Sequence, residues 1–566
     1  MLNPMMRQFK KKSLITGGIA GLVFLFNQVA VWKPNYLLHD DPARYGAVNW
    51  GYFPYSWIKY NLILPFTEWI SWHVMVISPY LERELYIILF LIPISIMLYR
   101  LYCHAFGFSR ITAMTAALLP AILPMQTEIP SGINMSYVVW GFFFIVISMV
   151  TGVAYLESQN SNRIRWCCAS WAAYLMATQI MEIAVFMSPP LVMLWLSKRK
   201  VGSGNLYLGL GFIGIGLIKL VQMIIFPRKS FQLNPLEIII DRIAVFATWI
   251  MPLPNIFGYA ALAVGIGIIM AACVIRRQRS AVNPVSVLFF SGYSSWNQEQ
   301  FRFIFFALWV ISSILPAILL SYVFTLRYGF IAAYGAIPLL LLSIEIIIDR
   351  WLPRSSIIIP LFFSALILVS GISRFSYINH YHIEKNRAFN IISRDLRQKE
   401  FPGNSQIVIT TIDPGFPIGW YRSSGQLQYM TKRKDITGLL VSKKMDDYTR
   451  FVDHFDPSLR GCEQRYAATG LTLNQPLFMF NYDSSLSRLI PLYYVLQWRS
   501  PTIDVPWTIF RCDSISGKID SLVSGKGIKD YQVVLEKLKA LGIDQRDILW
   551  GMVTESELKR RQEVNQ

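Results

Sequence analysis

Eleven apolar runs, separated by small knots of Arg and Lys, constrain this 566-residue chain more than any single motif in it. They lie at 13–31, 85–102, 111–125, 133–156, 166–180, 183–196, 205–226, 255–275, 301–324, 330–348 and 355–373. Inside hydrocarbon a backbone has no water to bond, so such runs are stable only as helices that satisfy their own polar groups. With 54% hydrophobic and 15% charged residues, the chain departs from ordinary soluble composition. The expected fold is a polytopic α-helical membrane protein with about 11 transmembrane helices.

The charges set the orientation. Of the formal net charge of +19, residues 1–374 carry 27 basic against 13 acidic side chains, an excess of 14. That excess sits in short clusters between apolar runs, which is the pattern of orientation signals and not of a nucleic-acid surface. Arg7, Lys10, Lys11 and Lys12 precede the first run, which reads as a retained signal anchor. Threading the runs alternately puts Arg100 and Arg110, Arg163 and Arg165, Lys198–Lys200, Arg276, Arg277 and Arg279, and Arg350 and Arg354 on that same, cytoplasmic side. An odd number of crossings then leaves everything after about Arg374 outside. The domains expected are 1–374 in the membrane and 375–566 as an external, periplasmic or extracellular, soluble α/β or α+β domain. That tail offers candidate strands at Gln406–Ile412 and Leu439–Val441 and a late helix at Asp530–Leu541. It holds Cys462 and Cys512, its only cysteines, which an oxidising compartment allows to pair as a disulfide.

Between the first two runs stands His39-Asp40-Asp41-Pro42-Ala43-Arg44-Tyr45-Gly46, the chain's only adjacent carboxylates close to an expected membrane surface. An Asp-Asp-Pro is ordinary turn chemistry, yet at this position a carboxylate can act as a base without standing in hydrocarbon. An aromatic-rich stretch follows to about Glu84, suited to interfacial helices. Gly209-x-Gly211-x-x-Gly214 matches a dinucleotide fingerprint, but inside an apolar helix its glycines, with Gly216, read as a face for close helix approach. On that segment Lys219 and Gln222 fall in the outer third, where an ionisable side chain either serves a site or snorkels to the interface. Glu182 stands at the outer turn Gln179-Ile180-Met181-Glu182, facing either a cavity or solvent. Arg327-Tyr328 joins two runs on the outer face, where a guanidinium suits a lipid phosphate or anchors the interface. His380 and His382, with no third ligand, read as surface residues, and no metal ligand set is assigned.

A signal anchor, an acidic pair in the first external loop followed by Arg-Tyr, many further spans, a late external Arg-Tyr and an external C-terminal domain together resemble the GT-C superfamily of membrane glycosyltransferases. Protein O-mannosyltransferases, lipid A aminoarabinose transferases, O-antigen glucosyltransferases and oligosaccharyltransferases belong to it. Asp40-Asp41 falls where the family's catalytic acidic pair lies, and Arg44-Tyr45 close to the Arg-Tyr that often follows. The Gly-Arg-Pro of the O-antigen glucosyltransferases is absent, with Gly51-Tyr52-Phe53-Pro54 nearby instead. The turn at Glu182 lacks the family's preceding lysine.

The resemblance implies transfer of a sugar from a polyprenyl-phosphate carrier to a glycan, lipid or protein acceptor on the outer face of a bacterial inner membrane, with inversion. Asp40 and Asp41 would supply the base, Asp41 being favoured because Pro42 holds its backbone extended. His39, Arg44, Tyr45, Glu182, Lys219, Arg327 and Tyr328 would bind substrate. A divalent metal suits an aspartate pair, and nothing in the sequence requires one. The alternatives are a transporter or flippase for a lipid-linked glycan, against which stands the lack of an internal repeat, and a glycan polymerase or ligase, which places its large external loop between spans.

Overall fold

The computed structural model describes residues 15–25, 27, 48, 53, 58–59, 61–123, 136–158, 162–196, 204–226, 233–250, 255–279, 298–320, 329–351, 358–411, 423–442, 476–483, 485–498, 507–513, 515–525, 531–543 and 548–551. These fall into two compact units, the first formed mainly by the chain up to Asn379 and the second mainly by His380 onward.

The described part of the first unit is helical. Its elements are α1 (Ile15–Leu25), α2 (Leu64–Ile77), α3 (Pro79–Tyr86), α4 (Ile92–His104), α5 (Arg110–Ile122), α6 (Ser136–Glu157), α7 (Asn162–Ile180), α8 (Ser188–Leu196), α9 (Gly204–Ile225), α10 (Leu236–Ile250), α11 (Gly258–Arg279), α12 (Gln298–Leu320), α13 (Gly329–Trp351) and the start of α14 (Ile358–Arg397). Each of the eleven apolar runs coincides with a helix in its described part. Six of these helices are long and apolar enough to cross a membrane: Glu84–His104, Tyr137–Glu157, Tyr207–Ile225, Gly258–Ile275, Phe301–Leu319 and Gly329–Ile348. Three further stretches, Ile15–Leu25, Glu182–Leu194 and Leu361–Arg374, are apolar but shorter. At 13 residues α5 reaches about 20 Å, and α7 carries Arg163, Arg165 and Gln179, so neither joins the six.

Helices α2 and α3 fall in the aromatic stretch before the second run, and α10 lies outside the eleven runs as well. In α10, Glu237, Asp241 and Arg242 interrupt the apolar pattern that marks a span, yet the helix has a definite task. Arg242 donates to Ala317 O at 3.2 Å and Ile318 O at 3.1 Å, and the Asn234 amide donates to Ile318 O at 2.9 Å and Leu319 O at 2.8 Å. Those carbonyls belong to the last turn of α12, which has no intrahelical donor for them. A π-helical turn, Ile87–Leu91, joins α3 to α4 just ahead of Pro93, whose missing N–H breaks the regular ladder there.

Close packing uses the glycines singled out in the sequence. A Cβ on Gly211 would stand 2.0 Å from Trp171 Nε1, and one on Gly216 would stand 2.6 Å from Ser188 Oγ, whereas Gly214 faces open space. The close-approach reading therefore holds for Gly211 and Gly216 and fails for Gly214. Contacts also join ends that alternate threading puts on one side. Arg302 donates to Gly107 O at 3.1 Å among the basic clusters, while the α10–α12 bonds and the Lys219 network described below lie at the opposite ends.

The second unit holds the end of α14 and two four-stranded sheets. Its strands and helices are β1 (Gln406–Thr411), α15 (Ser423–Thr431), β2 (Thr437–Ser442), β3 (Leu477–Asp483), β4 (Arg488–Leu492), β5 (Tyr494–Trp498), β6 (Trp507–Cys512), β7 (Ile519–Gly525), α16 (Tyr531–Ala540) and β8 (Ile548–Gly551). The strands and late helix expected from the sequence correspond to β1, β2 and α16. The first sheet runs β2-β1-β3-β4, with β1 parallel to both neighbours, and the second runs β7-β6-β5-β8. Its core joins Phe389, Ile392 and Leu396 of α14 to Ile407, Leu427, Leu440 and Phe480. Gly438 is obligatory in β2, because at φ +147° a Cβ would lie 1.8 Å from Ile407 O. Beside the sheet, Arg433 bonds Asp435 and the carbonyls of Phe401 and Pro402, while Asp435 Oδ2 accepts from Asn404 N at 3.1 Å. The Arg433 guanidinium, helped by that backbone bond, lowers the Asp435 carboxyl to about 2.

Candidate functional site

Of the residues the sequence singles out, His39, Asp40, Asp41, Arg44, Tyr45, Arg327, Tyr328 and Cys462 lie outside the described residues, and Cys512 ends β6. Glu182 and Lys219 are described, and one side chain absent from the sequence reading, Asn61, joins them.

The junction is built from three pieces of chain. Helix α7 ends at Ile180, Met181 is extended (φ −136°, ψ 120°), and Glu182 opens a 3₁₀ turn over Glu182–Met187. A carboxylate in a first helical turn meets the positive end of the helix dipole. Lys219 and Gln222 are one turn apart on α9 and so share a face. Lys59 to Ile63 leads into α2.

Lys219 is completely buried, at 0% exposure, which decides against snorkelling. Its ammonium donates to Asn61 Oδ1 at 2.6 Å and to Gln222 Oε1 at 3.2 Å. Asn61 Nδ2 donates to Glu182 Oε1 at 3.4 Å. The Asn61 amide has only one workable orientation here, since an ammonium cannot accept and a carboxylate cannot donate. It therefore stands between a cation and an anion and carries a hydrogen bond from one to the other.

Gln179 and Gln222 complete the network. Gln179 Nε2 donates to Gln222 Oε1 at 3.2 Å, and Gln179 Oε1 accepts from Leu62 N at 3.2 Å. Ile63 N reaches Gln179 O at 3.2 Å, and Gln222 Nε2 reaches Lys59 O at 3.3 Å. The segment 59–63 is thus tied to α7 and α9 through main chain and side chain together. A buried ion of this kind is expensive unless hydrogen-bonded on several sides, and here it is. Chemically, the arrangement offers a fixed positive potential, a carboxylate held at a set distance from it, and a loop whose position depends on both.

A second buried acid lies nearby in sequence. Glu68 on α2 is 0% exposed and accepts from Trp72 Nε1 at 3.0 Å, one turn on. It is the only acid in the run Leu64–Ile77, and that isolation in an apolar helix is the signal by which sequence reading finds such a residue. No signal of that kind marks Asn61, one neutral amide in a polar, aromatic stretch. Among the described residues no three His, Cys, Asp or Glu side chains gather as a metal site would require.

No family model matches the chain, and no curated protein matches it. Among solved structures it is similar to ArnT from Cupriavidus metallidurans in the apo state, at 12% identity over 85% of this chain and 94% of that one, with a TM-score of 0.39. It is also similar to the Archaeoglobus fulgidus oligosaccharyltransferase in complex with zinc and sulfate, at 12% identity over 81% of this chain and 67% of that one, TM-score 0.41. The archaeal oligosaccharyltransferase AglB from Archaeoglobus fulgidus, in complex with an inhibitory peptide and a dolichol-phosphate, is similar at 11% identity over 82% and 69%, TM-score 0.38. At these identities and TM-scores they carry no activity to this chain.

Proposed function

We propose that this chain is an integral membrane glycosyltransferase that moves a sugar from a polyprenyl-phosphate-linked donor to a glycan, lipid or protein acceptor on the outer face of the membrane. The observation that carries the reading is the buried Lys219–Asn61–Glu182 network, at helix ends that the one-sided basic clusters assign to the outer face. The residues before about 375 form the membrane part, with about eleven crossings, and the rest forms a soluble external domain, periplasmic if the membrane is a bacterial inner membrane.

In this reading the acceptor hydroxyl attacks the anomeric carbon as the bond to the carrier phosphate breaks, with inversion. Asp41, with Asp40 beside it, takes the hydroxyl proton. The second aspartate orients the acceptor, the loop or a divalent metal. His39, Arg44, Tyr45 and Tyr328 line the substrate. Arg327 binds the leaving phosphate in a bidentate fork. Lys219, being covered, acts through its potential on charge that develops at the phosphate, and through Asn61 and Glu182 on the position of the loop.

The test uses the full chain in lipid discs with a panel of polyprenyl-phosphate sugars, measuring thermal stabilisation and sugar transfer. A matching donor should stabilise the protein and be consumed. Asp40→Asn or Asp41→Asn should lower transfer by about 10² to 10⁴-fold while donor binding persists. Normal transfer in both single variants and the double variant would sink the reading and bring the transporter forward.

A further inference from the structure

Helix α2 turns its polar residues inward and its apolar ones outward. Thr67, Glu68 and Ser71 are buried, and each is hydrogen-bonded: Thr67 Oγ1 donates to Leu64 O at 3.0 Å, Glu68 accepts from Trp72 Nε1, and Ser71 Oγ donates to Thr67 O at 2.8 Å. Ser71 also shares a 2.6 Å hydrogen bond with the Tyr86 hydroxyl, which accepts from Trp140 Nε1 of α6 at 3.0 Å. On the other side of the helix Phe66, Trp69 and Ile70 are 51%, 40% and 47% exposed, and Leu62, just ahead of it, is 55% exposed. Positions 66, 69, 70 and 73 follow the i, i+3, i+4, i+7 spacing of a single helical face. His73 completes that face, donating from Nδ1 to Trp69 O at 2.8 Å.

At an aqueous surface a helix arranges itself the other way, with its apolar stripe on the core and its charges in solvent. Exposed apolar side chains are ordinary when scattered, but here large ones adjoin on one face. Burying a carboxylate and two hydroxyls while leaving a phenyl and an indole outside is unfavourable in water on both counts. In hydrocarbon it is favourable on both, because lipid takes the apolar face while the polar groups bond within the protein. The helix also stands where lipid is within reach. Leu62 N and Ile63 N bond Gln179 in the last turn of α7, and α3 behind α2 leads into the span Glu84–His104. With 14 residues, about 21 Å, α2 is too short to cross a hydrocarbon core of about 30 Å, so it rests in one leaflet. Trp69 and His73, with ring centroids 4.1 Å apart, each join an apolar body to a polar edge, as side chains at headgroup level do.

We propose that Leu62, Phe66, Trp69 and Ile70 form a membrane-docking surface whose partner is the acyl chains of the leaflet opposite the basic clusters. Lipid on that face holds Thr67, Glu68 and Ser71 against the protein and steadies the chain just before α2, where Asn61 meets Lys219. This docking surface does not depend on the glycosyltransferase reading. It requires only that the first unit stand in a membrane.

The experiment places a photoreactive benzophenone side chain, one position at a time, at Phe66, Ile70, Ile224 and Gln398 of the full chain. Each protein is returned to phosphatidylcholine–phosphatidylglycerol vesicles with radioactive acyl chains, and the adducts formed in light are resolved by mass. Ile224, 77% exposed on the span Tyr207–Ile225, reports contact with lipid, and Gln398, exposed in the second unit, reports contact with water. Lipid adducts should form at 66 and 70 as they do at 224, and none above background at 398. In a second measurement, Phe66→Ser combined with Ile70→Ser should lower the thermal midpoint in lipid discs, because both hydroxyls then enter hydrocarbon. A stripe facing water would leave that midpoint unchanged, which would overturn the proposal. So would lipid adducts at 224 with none at 66 and 70. Adducts at 66 and 70 that join two copies of the chain in place of lipid would overturn it as well, assigning the stripe to a dimer.

Discussion

Replacing Asn61 tests whether the Lys219–Glu182 network acts as one unit. In Asn61→Ala the ammonium loses its shortest acceptor among the described residues, at 2.6 Å, and the Glu182 carboxylate loses a donor at 3.4 Å. A hydrogen bond to a charged group contributes about 1.5–3 kcal/mol, and the longer one contributes at the low end, so the single change should cost about 3 kcal/mol. Lys219→Met keeps the aliphatic stem and removes the charge. It should cost less, about 1–2 kcal/mol, because the desolvation of the ammonium vanishes together with its bonds. In the Lys219→Met background Asn61 has no cation to serve, and Asn61→Ala should then cost only about 1 kcal/mol. The double-mutant cycle should therefore show a coupling of about 2 kcal/mol. Unfolding in mixed micelles, followed by tryptophan fluorescence for all four proteins, measures it. Additivity within about 0.5 kcal/mol would refute the view that Asn61 holds Lys219 in place.

Other outcomes follow from single features. Gly211→Ala should destabilise the protein by about 1–3 kcal/mol, because its Cβ must displace the Trp171 ring, while Gly214→Ala should be neutral or slightly stabilising; thermal midpoints distinguish them. The Asp435 carboxyl titrates at about 2 in the folded chain and near 3.9 when unfolded, so its contribution is whole above about pH 4 and is lost as pH falls toward 2. Asp435→Asn should remove that part of the acid sensitivity of the second unit, read by circular dichroism from pH 5 to 2, and cost about 0.5–1 kcal/mol at neutral pH. Cys462 and Cys512 should resist thiol labelling under denaturing, non-reducing conditions, as a bridge requires; full labelling of both would mean there is none.

Much of this could be read from the chain before folding. Apolar runs and basic clusters mark helices because hydrocarbon leaves a backbone no other choice, and β1, β2 and α16 follow local patterning. Helix α10 escaped because its three charges break the apolar run, and the use of one of them, Arg242 bonding the last turn of α12, appears only once the two helices meet. Lys219 and Glu182 stand out in sequence as charges beside apolar stretches. Their connection does not, since it passes through an asparagine more than 100 residues from either, and sequence periodicity carries no information at that separation. Arg374 likewise marks only the end of a run until Asn27 and Ala121 are seen beside it.

The tie of residues 59–63 to α7 and α9 has a consequence in polymer terms. At the other end of the first loop Asn27 is held by Arg374, so 31 residues of sequence, 28 to 58, separate two fixed points. The Asp40-Asp41 pair sits near its middle. A chain fastened at both ends has already lost much of its configurational freedom, and the loss grows only as the logarithm of its length: doubling the loop would add about 0.6 kcal/mol. For any group carried midway along such a chain, the effective concentration at a point within reach falls with the same scaling, roughly threefold for that doubling. In the proposed reading, the amide of Asn61 therefore bears on the two carboxylates through the length of chain between them, although it touches neither acceptor nor donor.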